Sequence, residues 1–256
     1  MSKRAVSIFG ALLFVACGTA GNNDGGTLGD GGIFDAIDID GFGPCAPGTT
    51  QCTNCKDDDG DKAIDWQDPE CTGPLDDDEA TFATGIPGDN VDPCKQDCFF
   101  DGNSGSGDDR CDWNLKCDPK NPGAPKCPYD PNYKSCPMQT QPCINFCKPL
   151  TPNGCDCFGC CEIPDGDGGQ VFVYLAATCS LSVISDATKC PRCTPVQDCF
   201  NPCDKCELCL GKATLPPECN EGGTMGCSQG QQACNQNMAC PLGQYCLTGC
   251  CLPNVN

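Results

Sequence analysis

Of the 256 residues, 31 are cysteine, and no other feature constrains the fold as much. At about 12% of the chain, this is above the level that marks a disulfide scaffold. Aromatic residues make up only 7%, while glycine (31) and proline (23) together form about a fifth of the chain. Such a chain cannot build a large conventional core, so cross-links must supply much of its stability, each roughly 2–4 kcal/mol. The composition predicts a small, disulfide-rich, mostly irregular fold with short β-hairpins and little helix outside the first sixteen residues. The odd cysteine count means that at least one has no partner within the chain.

The N-terminus suggests which one. Lys3 and Arg4 precede a mostly apolar run from Ala5 to Ala16, followed by Cys17 and Gly18. A positive start and an apolar stretch too short to span a bilayer read as a secretory signal over 1–16. Phe14-Val15-Ala16-Cys17 resembles the lipobox of bacterial lipoproteins, with Phe14 where leucine is usual. The resemblance implies cleavage before Cys17, acylation of Cys17 and attachment to a membrane through lipid. One acyl chain holds only weakly, so stable anchoring rests on the several chains such a cysteine carries. Gly18, rather than an aspartate, resembles the sorting pattern of outer-membrane lipoproteins. The alternative is an ordinary cleaved signal with Cys17 incidental. Either way, the rest of the chain is exported to an oxidising compartment where disulfides persist.

The net charge of −20 is unevenly placed. Residues 18–118 hold 24 acids and 5 bases, whereas residues 119–256 hold 11 acids and 8 bases. No basic face exists for a phosphate backbone, which excludes nucleic acid as a partner. The acidic half must either bind a cation or remain solvated and self-repelling.

Residues 17–44 read as a lipidated flexible tether, rich in Gly, Asn and Asp. Within it, Ile33 to Asp40 alternates apolar and acidic residues, a pattern open to an acidic spacer, a strand or a partner-binding motif. Residues 45–118 form an acidic cysteine-rich domain with the sharpest motif in the chain, Asp57 to Asp68. Counting Asp57 as position 1, carboxylates fall at 1, 3, 5, 9 and 12: Asp57, Asp59, Asp61, Asp65 and Asp68. Ala63 at position 7 offers a backbone carbonyl. Ca²⁺ takes six to eight oxygens at about 2.3–2.6 Å, and alternate residues of a tight turn supply them in this layout. Without a cation, carboxylates this close repel. Cys52, Cys55 and Cys71 would staple the loop ends and preorganise the ligands.

This motif resembles the thrombospondin type 3 and related EF-like calcium loops. More closely, Asp57 to Glu79 is similar to a module of cysteine-rich surface lipoproteins in gliding Gram-negative bacteria. There an acidic loop is followed by Trp (here Trp66), Asp-Pro (Asp68-Pro69), a cysteine (Cys71) and a second acidic cluster (Asp76 to Glu79). The resemblance is specific over about 45–120. It implies bound Ca²⁺ and a structural or adhesive role at the cell surface, with another surface protein or a polysaccharide as partner. Position 6, normally a left-handed glycine, is Lys62, which predicts weaker binding. The second cluster either adds ligands or caps a short helix over Glu79 to Phe82.

Asp101, Asn103, Gly105, Asp108 and Asp109 form a looser second candidate for a cation loop, against a plain glycine turn flanked by Cys94, Cys98, Cys111 and Cys117. Residues 119–154 read as a proline-rich connector in which regular helix is excluded over most of the length. Residues 155–256 read as a cysteine-rich domain with a β-hairpin around Gln170 to Ile184 and a knotted C-terminal module. Cys190-x-x-Cys193 and Cys203-x-x-Cys206-x-x-Cys209 have metal-like spacing. An oxidising compartment and the missing Cys-Pro of a ferredoxin pattern favour disulfides. The seven cysteines from Cys219 to Cys251 imply one bridge back to the preceding segment.

There is no histidine, which removes the commonest general base. The sequence therefore reads as a non-enzymatic, calcium-binding surface lipoprotein of the outer membrane. Its rival is a secreted hydrolase or protease inhibitor, whose hallmark would be a carboxylate pair in a cleft.

Overall fold

The computed structural model describes residues 37–39, 42–45, 48–85, 92–102, 109–136, 138–212, 214–219, 227, 231–235 and 238–254. All of them fall in one compact unit, Asp35–Asn256. Regular structure is sparse, as the composition predicts. Among the described residues, four separate antiparallel ribbons have two strands each. They are β1 (Ile37–Ile39) with β2 (Phe42–Cys45), β3 (Lys95–Gln96) with β4 (Trp113–Asn114), β5 (Cys160–Pro164) with β6 (Gln170–Tyr174), and β7 (Gln244–Leu247) with β8 (Cys250–Pro253). The β1–β2 ribbon lies within the expected tether, so over Ile37–Ile39 the strand alternative is the one that forms.

The single α-helix among the described residues, α1 (Gln141–Cys147), sits in the proline-rich connector. Thr140 caps it by accepting the Cys143 N–H, and Pro142 occupies the first turn, where its missing N–H costs no helical bond. Among the described residues, no helix is long and apolar enough to cross a membrane.

The β5–β6 hairpin differs from the expected pairing. The β-forming run Val171–Val173 pairs with the preceding cysteine-rich segment, not with residues beyond Ala177. The turn chemistry decides this. The Asp165 carboxylate accepts the N–H groups of Asp167 and Gly169 at 3.0 and 2.8 Å, and Gly166 and Gly168 take positive φ angles of 83° and 88°. After Ala177 the chain is held instead by the Cys179–Cys190 disulfide and makes a 3-10 turn at Leu181–Val183.

Fourteen disulfides join described residues. Four of them (Cys94–Cys127, Cys98–Cys147, Cys111–Cys143 and Cys117–Cys136) cross the expected boundary after Asp118 and tie the acidic segment to the connector. The metal-like cysteines are all spent on disulfides: Cys179–Cys190, Cys160–Cys193, Cys203–Cys209 and Cys206–Cys219. The last is the bridge that joins the C-terminal module to the segment before it. Within the module the pairs are Cys227–Cys250, Cys234–Cys246 and Cys240–Cys251.

The buried apolar groups gather around these bridges. Phe82, Phe99, Ile163, Val173, Leu175 and Leu210 pack with the Cys155–Cys161 and Cys179–Cys190 cystines. Phe158, Val196 and Leu150 pack with Cys98–Cys147 and Cys157–Cys199. The two clusters meet where Phe99 runs against Gly159. A Cβ on Gly159 would stand 2.8 Å from the Phe99 ring, and φ there is +79°, so only glycine fits. The Tyr174 hydroxyl then donates to Gln96 Oε1 at 2.5 Å, linking β6 to β3.

Candidate metal centre

The acidic loop hangs from a closed neck. The Cys52–Cys71 disulfide brackets it, a 3-10 turn at Gln51–Thr53 leads in, and another at Asp65–Gln67 leads out. Cys55 is also disulfide-bonded. Inside the neck, the aspartates hold the backbone in successive tight turns. Asp57 accepts the N–H groups of Gly60 and Lys62, Asp59 accepts that of Asp61 at 2.9 Å, and Asp61 accepts that of Ala63 at 2.7 Å. Gly60 and Lys62 both adopt left-handed backbone, with φ of 87° and 85°. The turn expected at position 6 therefore forms although Lys62 carries a Cβ, a conformation that costs a non-glycine residue about 1–2 kcal/mol. Together these turns bring carboxylate oxygens of Asp57, Asp59 and Asp61 within 4.8 Å of one another at an exposed site.

A second group lies deeper. Oxygens of Asp61, Asp68 and Glu70 are also within 4.8 Å of one another, and Asp68 and Glu70 are only 2% and 6% exposed. Asp68 Oδ1 accepts the Glu70 N–H at 2.7 Å. Its Oδ2 is buried with no hydrogen-bond partner. The charged groups facing Asp68 are the carboxylates of Glu70 and Asp61. Glu70 Oε1 accepts the Leu181 N–H at 2.8 Å, a contact spanning 111 residues of sequence. Burial pushes Asp68 up to about 8 and also raises Glu70, with the neighbouring acids adding to desolvation. Facing carboxylates in a buried corner either share a proton, as in a side-chain hydrogen bond between Asp68 and Glu70, or take a cation between them.

Glu70 falls outside the sequence pattern because it sits two residues past position 12. The readable signal was its place directly before Cys71, which pins it beside Asp68. Asp65 joins neither group. Both its oxygens stand 3.1 Å from the Cys55 N–H, so its carboxylate holds the loop neck, and burial raises it to about 6. In a twelve-residue loop, position 9 often reaches the ion through water, which this placement allows.

No protein-family model, curated protein or solved structure matches this chain. The reading of the site therefore rests on its own geometry.

The second acidic cluster supports the loop backbone and forms no helix. Glu79 accepts the Asp58 N–H at 2.6 Å through one oxygen and the Asp65 N–H at 2.9 Å through the other. Asp76 accepts both the N–H and the hydroxyl of Thr72 at 2.8 Å, and burial pushes it up to about 7. Within the looser second candidate, Asp101 and Asp109 are buried. Asp109 accepts the N–H groups of Cys98 and Cys111, each at 3.1 Å, which closes the base of that segment. Asn103, Gly105 and Asp108 lie outside the described residues, as does Cys17.

The C-terminal module seats on the exit turn of the loop. Trp66 packs against Cys234, Cys246 and Cys251, and the Tyr245 hydroxyl donates to the Cys52 carbonyl at 3.1 Å. Beside Trp66 and Asp68 opens a cleft of about 350 Å³, walled by Leu208, Leu210, Lys212 and Leu247.

Proposed function

We propose that this chain is a surface lipoprotein of an outer membrane, held there by lipid on Cys17, whose acidic loop binds Ca²⁺ and whose role is structural or adhesive. The coarser part needs no proposal: a disulfide framework this dense belongs to a protein of an oxidising, extracytoplasmic compartment. The observation that carries the finer reading is the convergence of Asp57, Asp59 and Asp61 on a loop turned left-handed at Gly60 and Lys62. Asp68 and the Ala63 carbonyl are the further ligands expected from the spacing. Cysteine parity supports the anchor. Fourteen pairs use twenty-eight cysteines and Cys55 is bonded as well, leaving only Cys17 and Cys45 to be assigned among the 31. One of the two must therefore lack a partner within the chain.

One observation favours the hydrolase alternative, namely that Asp68 borders the cleft. Acid–base chemistry on a substrate there needs two carboxyls in reach, and Glu70 is spent on Leu181 and does not line the cleft.

Titrating CaCl₂ into EDTA-stripped, full-length protein by calorimetry tests the ion, with saturable binding expected. The absence of heat at millimolar calcium would refute it. Intact mass with and without reductant tests the anchor, and an unmodified Cys17 on protein from its native membrane would remove it.

A further inference from the structure

We propose that copies of this chain join head to tail, the turn at Leu242 of one copy entering the cleft beside Trp66 of the next. This goes beyond the reading above and stands without the ion or the anchor.

The knob is the turn Pro241 to Gln244. The Gln244 N–H donates to the Pro241 carbonyl at 3.1 Å, and Gly243 takes a φ of 82°, which puts Leu242 at the corner of the turn. Leu242 is 106% exposed, against 2% for Leu210 and 4% for Leu247. The tip is also held rigid. The Asn254 N–H donates to the Gly243 carbonyl at 2.9 Å, and the Cys240–Cys251 and Cys234–Cys246 disulfides fix the flanks. A rigid tip loses little conformational entropy on docking.

The hole is the cleft of about 350 Å³, with Trp66, Pro69, Leu208, Leu210 and Leu247 on its walls. An apolar cavity of about 150 Å³ takes a molecule the size of benzene, so this cleft takes Leu242 with the Pro241 ring beside it. None of residues 240–244 lines it; the C-terminal hairpin reaches it through Leu247, Thr248 and Gly249, at the far end of β7. The four residues of β7, at about 3.3 Å each, set knob and hole about 13 Å apart within one copy. The disulfides keep the knob from folding back, so it can fill only the hole of another copy.

Charge favours a second copy as the occupant. The chain carries −20, so copies repel wherever their acidic surfaces meet. Residues 222–256 contain no Asp, Glu, Lys or Arg, and the cleft is bordered by one acid, Asp68, and one base, Lys212. A neutral tip and a cleft of balanced charge form a face on which two acidic molecules can approach. Each such contact leaves a free knob on one copy and a free hole on the other, so repetition gives rows or rings and not a closed pair.

The test is sedimentation velocity without detergent, on the exported chain carrying Cys17→Ser so that no acyl group attaches. Non-reducing denaturing electrophoresis excludes disulfides between copies. The mean mass should rise with concentration past that of a dimer. Leu242→Ala should weaken association about ten- to a hundredfold, the effect of burying one leucine. Leu242→Asp should be monomeric, as should Leu208→Trp, which fills the cleft. Their equimolar mixture should give dimers and nothing larger, because one intact knob meets one intact hole. The absence of reactive thiols in each variant excludes misfolding. A wild type that stays monomeric overturns the inference, as does association that stops at a dimer and ignores Leu242→Asp, or a mixture that stays monomeric. A monomeric wild type that Leu242 holds to phosphatidylcholine vesicles also overturns it and gives the tip to a membrane. None of these results bears on the ion, which the calcium titration reads separately.

Discussion

Calcium binding to this loop should be strongly pH-dependent across a range where ordinary carboxylates no longer titrate. Asp68 stands at about 8 in the cation-free protein because it is desolvated beside two other acids. A metal ligand must be deprotonated, so calcium has to displace that proton. For one such group, the apparent association constant falls by about a hundredfold between alkaline pH and pH 6, or about 2.7 kcal/mol at 1.36 kcal/mol per unit. The raised value of Glu70 steepens the fall. The assay is calorimetry at pH 6, 7 and 9 in two buffers of different ionisation enthalpy, which counts protons as well as affinity. About one proton should be released per Asp68-bound ion at pH 7. Affinities equal within twofold from pH 6 to 9, with no proton release, would refute the placement of Asp68 in the ion's shell.

In EDTA the protein should be more heat-stable at pH 5 than at pH 8. Asp65, Asp76 and Asp68 have folded values of about 6, 7 and 8 against an ordinary aspartate value of 3.8, so the folded state binds more protons and loses stability as pH rises through them. Calorimetry in EDTA reads this directly, and a rising melting temperature over that range would contradict it. Lys62→Gly should be more stable than Lys62→Ala, by up to about 1 kcal/mol. Both remove the ammonium, but only glycine relieves about 1–2 kcal/mol of left-handed strain, partly offset by about 0.4–1 kcal/mol of chain entropy. Equal melting temperatures in EDTA would mean that residue 62 does not hold the left-handed turn. Asp59→Ala should reproduce the effect of a chelator on hydrogen exchange across 57–63, and a full calcium response in that variant would place the ion outside the group of Asp57, Asp59 and Asp61.

The parts of this molecule legible in the sequence were those set by local chemistry. The alternating aspartates from Asp57 to Asp61 announced a tight turn, and Asp165-Gly166-Asp167-Gly168-Gly169 read as a turn leading into the strand, although not as the turn of the hairpin itself. The export context and cysteine density led to disulfides at Cys190 and Cys193, where spacing alone suggested metal. What stayed hidden depends on contacts between residues far apart in sequence. Glu70 became visible only when Leu181 met it from 111 residues away. Asp65 stands at position 9 by spacing, and its acceptance of the Cys55 N–H is a contact that spacing does not show. The partner of β6 could not be read from its own composition, because the segment it joins, Cys160–Pro164, carries little strand signal besides Ile163. The four bridges across residue 118 were equally invisible, since cysteine spacing does not determine connectivity.

Cys250 and Cys251 are neighbours on β8, and neighbouring side chains of a strand leave from opposite faces. One sulfur reaches Cys227 and the other Cys240. A protease that cuts anywhere between Cys234 and Cys240 would still leave the two ends joined through Cys227–Cys250 and Cys234–Cys246. Outside the cell, where such enzymes are common and resynthesis is slow, the C-terminal module can be nicked and remain in one piece.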